Sequence, residues 1–331
     1  MSDRRRLPRG LVAGGSLLGL VAVATILGPL ALARDPERTL DPAATALAPP
    51  GSGFATLRLA AGYELAADRI VLDGDRFVLE DVRGRRTVPA REVDAARPVG
   101  RARFWLGSDA LGRDVAARLL HGGRVSLAVA LGAVLLLLLV GVPVGILAGL
   151  SRGLPDRALL GGIEAWQAFP RLFLLVALVA VVPAGVGTTV LLLGLTGWMP
   201  MARLVRAETR RLRSSEFVLA ARAAGVGPAR LALRHLVPNL VAPVAVEASL
   251  AMGAAITIEA TLSFLGLGVP PPTPSWGNLI ADGRELAASA WWIATFPGLA
   301  LVATVVACSL VGEGLRDHVD PRHEAGRPAP L

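Results

Sequence analysis

Apolar residues in this chain gather into six long runs, at about residues 11–33, 125–150, 158–182, 187–204, 240–265 and 292–315, and most of the charge lies between them. A helix rises ~1.5 Å per residue, so about 20 apolar residues cross the ~30 Å hydrocarbon core of a bilayer. Each run has or approaches that length. The fourth is the weakest, interrupted by Gly194, Gly197 and Pro200. The pattern predicts an all-α polytopic membrane protein with six transmembrane helices.

Two intervening stretches carry patterns of their own. Residues 34–104 are polar, broken early by Pro36, Pro42, Pro49 and Pro50. Further on, Arg69 to Leu72 and Arg76 to Leu79 flank Asp73-Gly74-Asp75 and read as a β-hairpin in a small β-rich module. The second stretch, residues 205–239, predicts a helix-turn-helix. Ser214 or Ser215 is placed to cap a helix with Glu216 in its first turn, and the alanine-rich Ala220 to Ala224 leads to Gly225, suited to a left-handed stop. Pro228 suits the first turn of a second helix, which is expected to end at Leu236, before Pro238. Phe217, Val218, Ala221 and Ala224 recur at helical spacing and give the unit an apolar face.

Composition agrees: the 331 residues are 53% apolar with a mean hydropathy of +0.56. Every one of the 34 basic residues is arginine. A phosphate-binding loop of the G-x-x-x-x-G-K-[ST] kind needs a lysine, so the chain is no P-loop ATPase. Although the net charge is +8, the arginines cluster at span ends, where membrane orientation accounts for them better than nucleic acid does. Cys308, the single cysteine, lies in an apolar run and offers neither a disulfide framework nor a cysteine zinc site. The four histidines, His121, His235, His318 and His323, form no H-E-x-x-H. No catalytic residue, metal site or cofactor is expected in this chain.

Arginine also orients it. Residues 201–240 hold eight arginines, residues 183–189 none and residues 266–291 only Arg284. With six spans, the positive-inside rule places both termini and the 205–239 loop in the cytoplasm. Arg4, Arg5, Arg6 and Arg9 precede the first run, and Ala31-Leu32-Ala33 resembles a signal-peptidase site. That run is nevertheless longer than the roughly 7–15 apolar residues of a signal peptide, and is read as an uncleaved span.

Four separated motifs resemble one family. Ala220-Ala221, Gly225 and Pro238 match the A-A-x-x-x-G and closing proline of the cytoplasmic loop in permeases of binding-protein-dependent ABC importers. The match departs at Leu219, where the family often has Glu, and at His235, where it often has Ile. Leu106-Gly107-Ser108-Asp109 through Leu111-Gly112-Arg113-Asp114 resembles L-G-T-D-x-x-G-R-D of the dipeptide, oligopeptide and nickel permeases. Glu259 to Gly268 resembles the E-A-x-L-S-F-L-G-L-G of the same subgroup, and Gly314-Leu315-Arg316-Asp317 with Asp320-Pro321-Arg322 its C-terminal G-L-R-D-x-x-D-P-R. Such a resemblance implies residues 1–33 as cytoplasmic N-terminus and first span, 34–104 as an extracytoplasmic segment with an insertion of roughly 50 residues, 105–315 as the permease domain and 316–331 as a cytoplasmic tail. It further implies a homologous second permease, two ATPase subunits that bind ATP and magnesium, and an extracytoplasmic solute-binding protein. Glu216, Ala220, Ala221, Gly225, His235 and Pro238 are the implied coupling residues, and alternating access in the bacterial inner membrane the implied mechanism, with dipeptides or oligopeptides as cargo.

Individual residues carry further expectations. Asp109 or Asp114 is expected to cap a short helix laid on the membrane surface through Val115, Leu119 and Leu120, with ion pairs to Arg113 or Arg118. Tryptophans 276, 291 and 292 suit the headgroup boundary. Ionisable groups inside spans are costly. Glu164 and Arg171, seven residues apart, are expected on one face of one helix about 10 Å apart. Glu247 and Glu259 lie about 18 Å apart on different faces, Glu259 being structural or pathway-lining. The competing reading is an ion-coupled secondary transporter that uses these carboxylates, for which inverted repeats are expected and none is visible.

Overall fold

The computed structural model of the chain describes residues 8–81, 84–96, 98–151 and 153–319. Arg4, Arg5, Arg6, Arg152, His323 and the motif end Asp320-Pro321-Arg322 lie outside the described residues. In chain order the elements are α1 (Arg9–Leu32), α2 (Pro42–Thr45), β1 (Ser52–Arg58), β2 (Glu64–Ala67), β3 (Arg69–Asp73), β4 (Arg76–Asp81), β5 (Gly84–Pro89), β6 (Val99–Phe104), α3 (Val115–Leu150), α4 (Leu154–Gln167), α5 (Arg171–Val179), α6 (Val186–Arg213), α7 (Glu216–Ala223), α8 (Pro228–Leu231), a π-helical turn (Ala232–Leu236), α9 (Val237–Phe264), α10 (Trp276–Gly283) and α11 (Trp292–Val319). Among the described residues, five helical segments are long and apolar enough to cross a membrane, and six if α4 and α5 together make one bent span. By internal packing the chain divides into two units.

The first unit comprises Ser126–Pro270 with the start of α1 and the end of α11. In it α6 packs along α9, and α3 approaches α6 closely at a line of glycines. Gly141, Gly145 and Gly149 stand one helical turn apart on α3, and a Cβ on each would come within 2.5–2.8 Å of α6: Trp198 O, Val205 Cβ and Thr209 Cβ respectively. Gly194 of α6 is bare for the converse reason, with Leu136 of α3 against it. Small residues at four-residue spacing let two helices approach closely where lipid provides no hydrophobic drive between them. On the far side, Gly14 of α1 faces Leu310 and Ala307 of α11, and Gly314 of α11 faces Leu11.

Two expectations are corrected in this unit. Glu164 and Arg171 do not share a helix, because the chain bends by 75° between α4 and α5. Pro170 sits at the break; it lacks an N–H, and its ring disfavours helical backbone at Phe169. The helix of the fourth span does not end near Leu204: α6 continues to Arg213, into the stretch expected as a loop. Its arginines are therefore more than topological markers. Arg206 makes a two-pronged ion pair with buried Asp156 (Nε–Oδ1 2.7 Å, Nη2–Oδ2 2.9 Å), and Arg210 adds a third contact at 3.1 Å. Arg213 donates to the carbonyls of Gly149 and Leu150, closing the end of α3.

The second unit comprises Val23–Val125 and Pro271–Ala300. Two antiparallel three-stranded sheets, ordered β2-β1-β6 and β3-β4-β5, account for the β-rich insert. The anticipated hairpin is present, Leu72 pairing with Phe77 and Asp73 with Arg76 around Gly74-Asp75, with Gly74 at φ +59°. Leu57, Ala67 and Leu79 are buried where the sheets meet. Asp41 accepts from Ala66 N (3.0 Å) and from Arg86 (2.9 Å), which holds the Arg86 guanidinium above its ordinary range against the opposing cost of burial.

The L-G-S-D-A-L-G-R-D motif also resides in this unit, and its expected surface helix is absent. Instead α3 starts at Val115 and runs 36 residues without interruption, about 54 Å at 1.5 Å per residue. Asp109 knots the entry: Oδ1 accepts from Leu111 N and Arg113 N, while Oδ2 pairs with Arg113 (2.6 Å) and Arg118 (2.7 Å), and Arg118 reaches Asp282 of α10 (3.0 Å). Asp114 caps α3 by accepting from Ala116 N (2.9 Å) and pairs with Arg34. Trp276 and Trp292, expected at the headgroup boundary, pack inside the protein. Both are buried, their indole N–H groups donating to Leu119 O and Ser108 O at 3.0 Å each.

If the α3–α6 contact is the core of the first unit, then Gly145→Val, whose side chain has no space beside Ala202 and Val205, should destabilise the protein by about 1–3 kcal/mol. Gly15→Val, at a position with nothing within 4 Å, should be neutral. Thermal unfolding of both in detergent provides the comparison.

Candidate coupling site

The helical hairpin between α6 and α9 has two chemically different sides. Inward, Val218, Leu231 and Leu236 are buried in one apolar cluster with Val134, Leu137 and Ile146 of α3, Met201, Val205 and Leu212 of α6 and Leu240 of α9. Ala221 and Val226 pack against the same cluster. Outward, Phe217, Leu219 and Leu233 are 42%, 52% and 72% exposed, among the exposed arginines 222, 230 and 234. Phe217 and Ala224 were expected on one face with Val218 and Ala221; both are exposed, and of α7 only Val218 and Ala221 reach the cluster.

The turn is set by backbone chemistry. Gly225 has φ +76°, Val226 N bonds to Ala221 O (3.1 Å) and Gly225 N to Arg222 O (3.0 Å), the paired bonds that satisfy the last carbonyls of a helix. A Cβ on Gly225 would meet nothing within 4 Å, so glycine is required for its torsion and not for space. Pro228 opens α8 as expected. The anticipated stop before Pro238 is absent: α8 runs through the π turn straight into α9. Widening the helix by one residue per turn relieves the clash between a proline ring and the carbonyl four residues earlier, here Arg234. Ser215 holds the N-cap position of α7, yet its hydroxyl donates backwards to Leu212 O (2.5 Å), and Ser214 donates to Arg211 O (2.9 Å).

Of the sequence-predicted residues, Glu216 and Ala220 lie one turn apart on the exposed side of α7, Ala221 faces the cluster, and Gly225 forms the turn. His235 is half-buried in the π turn, its carbonyl accepting from Asn239 Nδ2 (2.7 Å), and Pro238 is exposed at the start of α9. Glu164 is exposed on α4, far in sequence from the hairpin. Glu259 is fully buried: Ser126 of α3 donates to Oε2 and Ser263, one turn along α9, to Oε1, both at 2.8 Å. The remainder of its motif follows from that network. Gly266, at φ +77°, ends α9 with Leu267 N on Leu262 O (2.8 Å), and a Cβ on Gly268 would fall 2.0 Å from Ser263 Oγ.

Sequence reasoning missed Asp156 and the glycine stripe of α3. The latter had a visible signal in the four-residue spacing of Gly141, Gly145 and Gly149. Asp156 had none, because its partners lie 50 and 54 residues away.

Such a set of apolar helices, glycine-packed and carrying a rooted hairpin with an exposed apolar and basic side, defines a polytopic helical membrane protein. Residues 141–324 match the family described as binding-protein-dependent transport system inner membrane component. The di/tripeptide transport system permease protein DppC of Pseudomonas aeruginosa is 41% identical over 223 residues, covering 67% of this chain and 74% of that protein. A putative peptide permease protein of Brucella ovis is 40% identical over 224 residues, with the same coverage of both. Among solved structures, an inward-facing form of the MetNI methionine ABC transporter aligns at TM-score 0.52 and 17% identity over 61% of this chain and 97% of that one, a likeness of fold. The chain belongs to the family of inner-membrane permease components of binding-protein-dependent transport systems.

Replacing Glu259 by Leu should leave two buried serine hydroxyls without their acceptor, at about 1–3 kcal/mol. Pairing it with Ser126→Ala and Ser263→Ala should recover part of the loss. Detergent unfolding midpoints of the single and triple variants check the sign of that recovery.

Proposed function

We propose that this chain is the permease subunit of an ATP-driven importer of dipeptides or oligopeptides, and that the hairpin from Glu216 to Pro238 is where separate ATPase subunits dock. The observation that carries this reading is the two-sidedness of the hairpin. Its inner residues are part of the same apolar cluster as α3, α6 and α9, while its outer side offers Phe217, Leu219, Leu233 and three arginines to a partner. A surface displaced by a partner thus moves the spans with it. Peptides as cargo rest on the names of relatives near 40% identity.

In this reading the importer consists of this subunit, a homologous second permease, two ATPase subunits that bind ATP and magnesium, and an extracytoplasmic solute-binding protein. Both termini and the hairpin face the cytoplasm, and closure of the ATPases on ATP switches the spans between inward and outward access. Leu219, where related permeases often have Glu, makes the docking side more apolar and leaves partner choice to shape and arginine contacts.

The test is affinity purification of the tagged protein from its own membranes in mild detergent. A Walker A ATPase should accompany it. Gly225→Val should fold but lose most of the ATPase, since a β-branched residue pays on the order of 1 kcal/mol or more to hold a left-handed torsion and misplaces α8. Gly225→Asn, which tolerates that torsion, should retain it. An ATPase that stays bound equally to all three forms would sink the docking assignment.

A further inference from the structure

Within the first unit, α3, α5, α6 and α9 enclose a cavity of about 220 Å³ whose lining includes one base, Arg171, and one acid, Glu247. Both are costly in an apolar setting, and such groups normally neutralise each other. Here they do not: among the described residues, neither takes part in an ion pair. Arg171 is held by neutral groups instead. Its Nη2 donates to Leu193 O (2.8 Å) and its Nε to Thr196 Oγ1 (3.3 Å).

The position is built for it. A Cβ on Gly197 would lie 2.7 Å from Arg171 Nη2, so α6 is bare where the guanidinium rests. Two of the five N–H donors of an arginine are engaged by these bonds, which fixes the side chain and leaves donors for an anion. Glu247, half-buried on α9, has no hydrogen bond among the described residues. Arg171 also borders a second cavity, of about 310 Å³, together with Trp166 and Phe169 at the α4–α5 bend. A fixed cation thus stands between two adjoining spaces.

We propose that this cavity is a transient binding site on the translocation path for the zwitterionic main chain of a short peptide, Arg171 receiving the carboxylate and Glu247 the ammonium. The proposal rests on the importer reading and specifies the chemistry its spans recognise. A free peptide carries the two charges that this base and acid lack, and neither end needs a particular side chain. Apolar neighbours such as Leu193, Met201 and Leu250 accept varied side chains without specific bonds. At about 220 Å³ the cavity lies below the ~300–1,000 Å³ of pockets for larger ligands and suits one small peptide at a time. Two charge contacts also hold weakly enough for release, as conduction requires.

The test uses the whole importer, with its binding protein, reconstituted in proteoliposomes and supplied with a labelled pool of dipeptides. Glu247→Gln removes a charge that supports no internal bond, so it should fold and hydrolyse ATP at the basal rate while uptake falls tenfold or more. Arg171→Gln should behave likewise, and Arg171→Lys should recover part of the uptake by restoring the cation. Uptake within twofold of the parent in both Glu247→Gln and Arg171→Gln would overturn the site alone. Parent vesicles that hydrolyse ATP but take up no dipeptide would overturn the peptide reading, and the site with it.

Discussion

Three glycines on one turn-spaced line of α3 set how near α6 can come, and much of the first unit depends on that distance. A methyl group at Gly141, Gly145 or Gly149 would meet α6 at 2.5–2.8 Å, so the pair exists only because these positions have no side chain. Lipid tails are as apolar as leucine, and such a pair is held by dispersion between surfaces that fit. Once α6 is seated, Arg206 and Arg210 fall beside Asp156 and Leu212 falls over the hairpin. The ion pair fixes the start of α4 and the apolar contact roots α7.

Polar groups within the spans divide by what satisfies them. Asp156 meets guanidinium in two-pronged geometry, the arrangement in which Coulomb attraction and hydrogen bonding best offset desolvation. Glu259 is bound by two serine hydroxyls and Arg171 by a hydroxyl and a carbonyl. Hydroxyls cost little to bury when they donate, and Ser126 and Ser263 do so from two different helices. Glu259 thereby joins α3 to α9 near the end where α9 stops. Its burial argues against a carboxylate that exchanges ions with water in this conformation, whereas Glu247 borders open space.

How much of this could be read from the chain depends on the range of the interaction responsible. Local rules located α1, the β3–β4 hairpin, Gly225 and Pro228, because each rests on torsions or periodicity within a few residues. Helix ends were misread wherever a distant partner overrode the local signal. The arginines after Leu204 looked like a loop, but Asp156 and the carbonyls of Gly149 and Leu150 absorb them and let α6 continue. Pro238 looked like a stop, but a π turn removes the clash. Conversely, apolarity from Ala158 to Val182 suggested one straight span, and a single Pro170 outweighed it. Two of the three tryptophans turn inward, because backbone carbonyls at Leu119 and Ser108 supply acceptors for Trp276 and Trp292 that no local pattern announces. The site residues show the same split: the turn was visible in Gly225, while the pairing of Glu259 with Ser126, 133 residues away, was not.

The junctions of the hairpin tie it directly to the long helices on either side. A displacement applied at Leu233 or Phe217 reaches the spans only if no soft segment absorbs it. On the α9 side there is no loop: 37 residues from Pro228 to Phe264 form one helical path, about 55 Å long at 1.5 Å per residue. On the α6 side the connection is two serines, each with its hydroxyl tied back to the last turn of α6. The tight turn between α7 and α8 is closed by paired backbone bonds around Gly225. The hairpin is thus joined to α6 and α9 without a soft segment, whereas α4 and α5 meet at a 75° bend where Pro170 cannot continue helical bonding, next to Arg171.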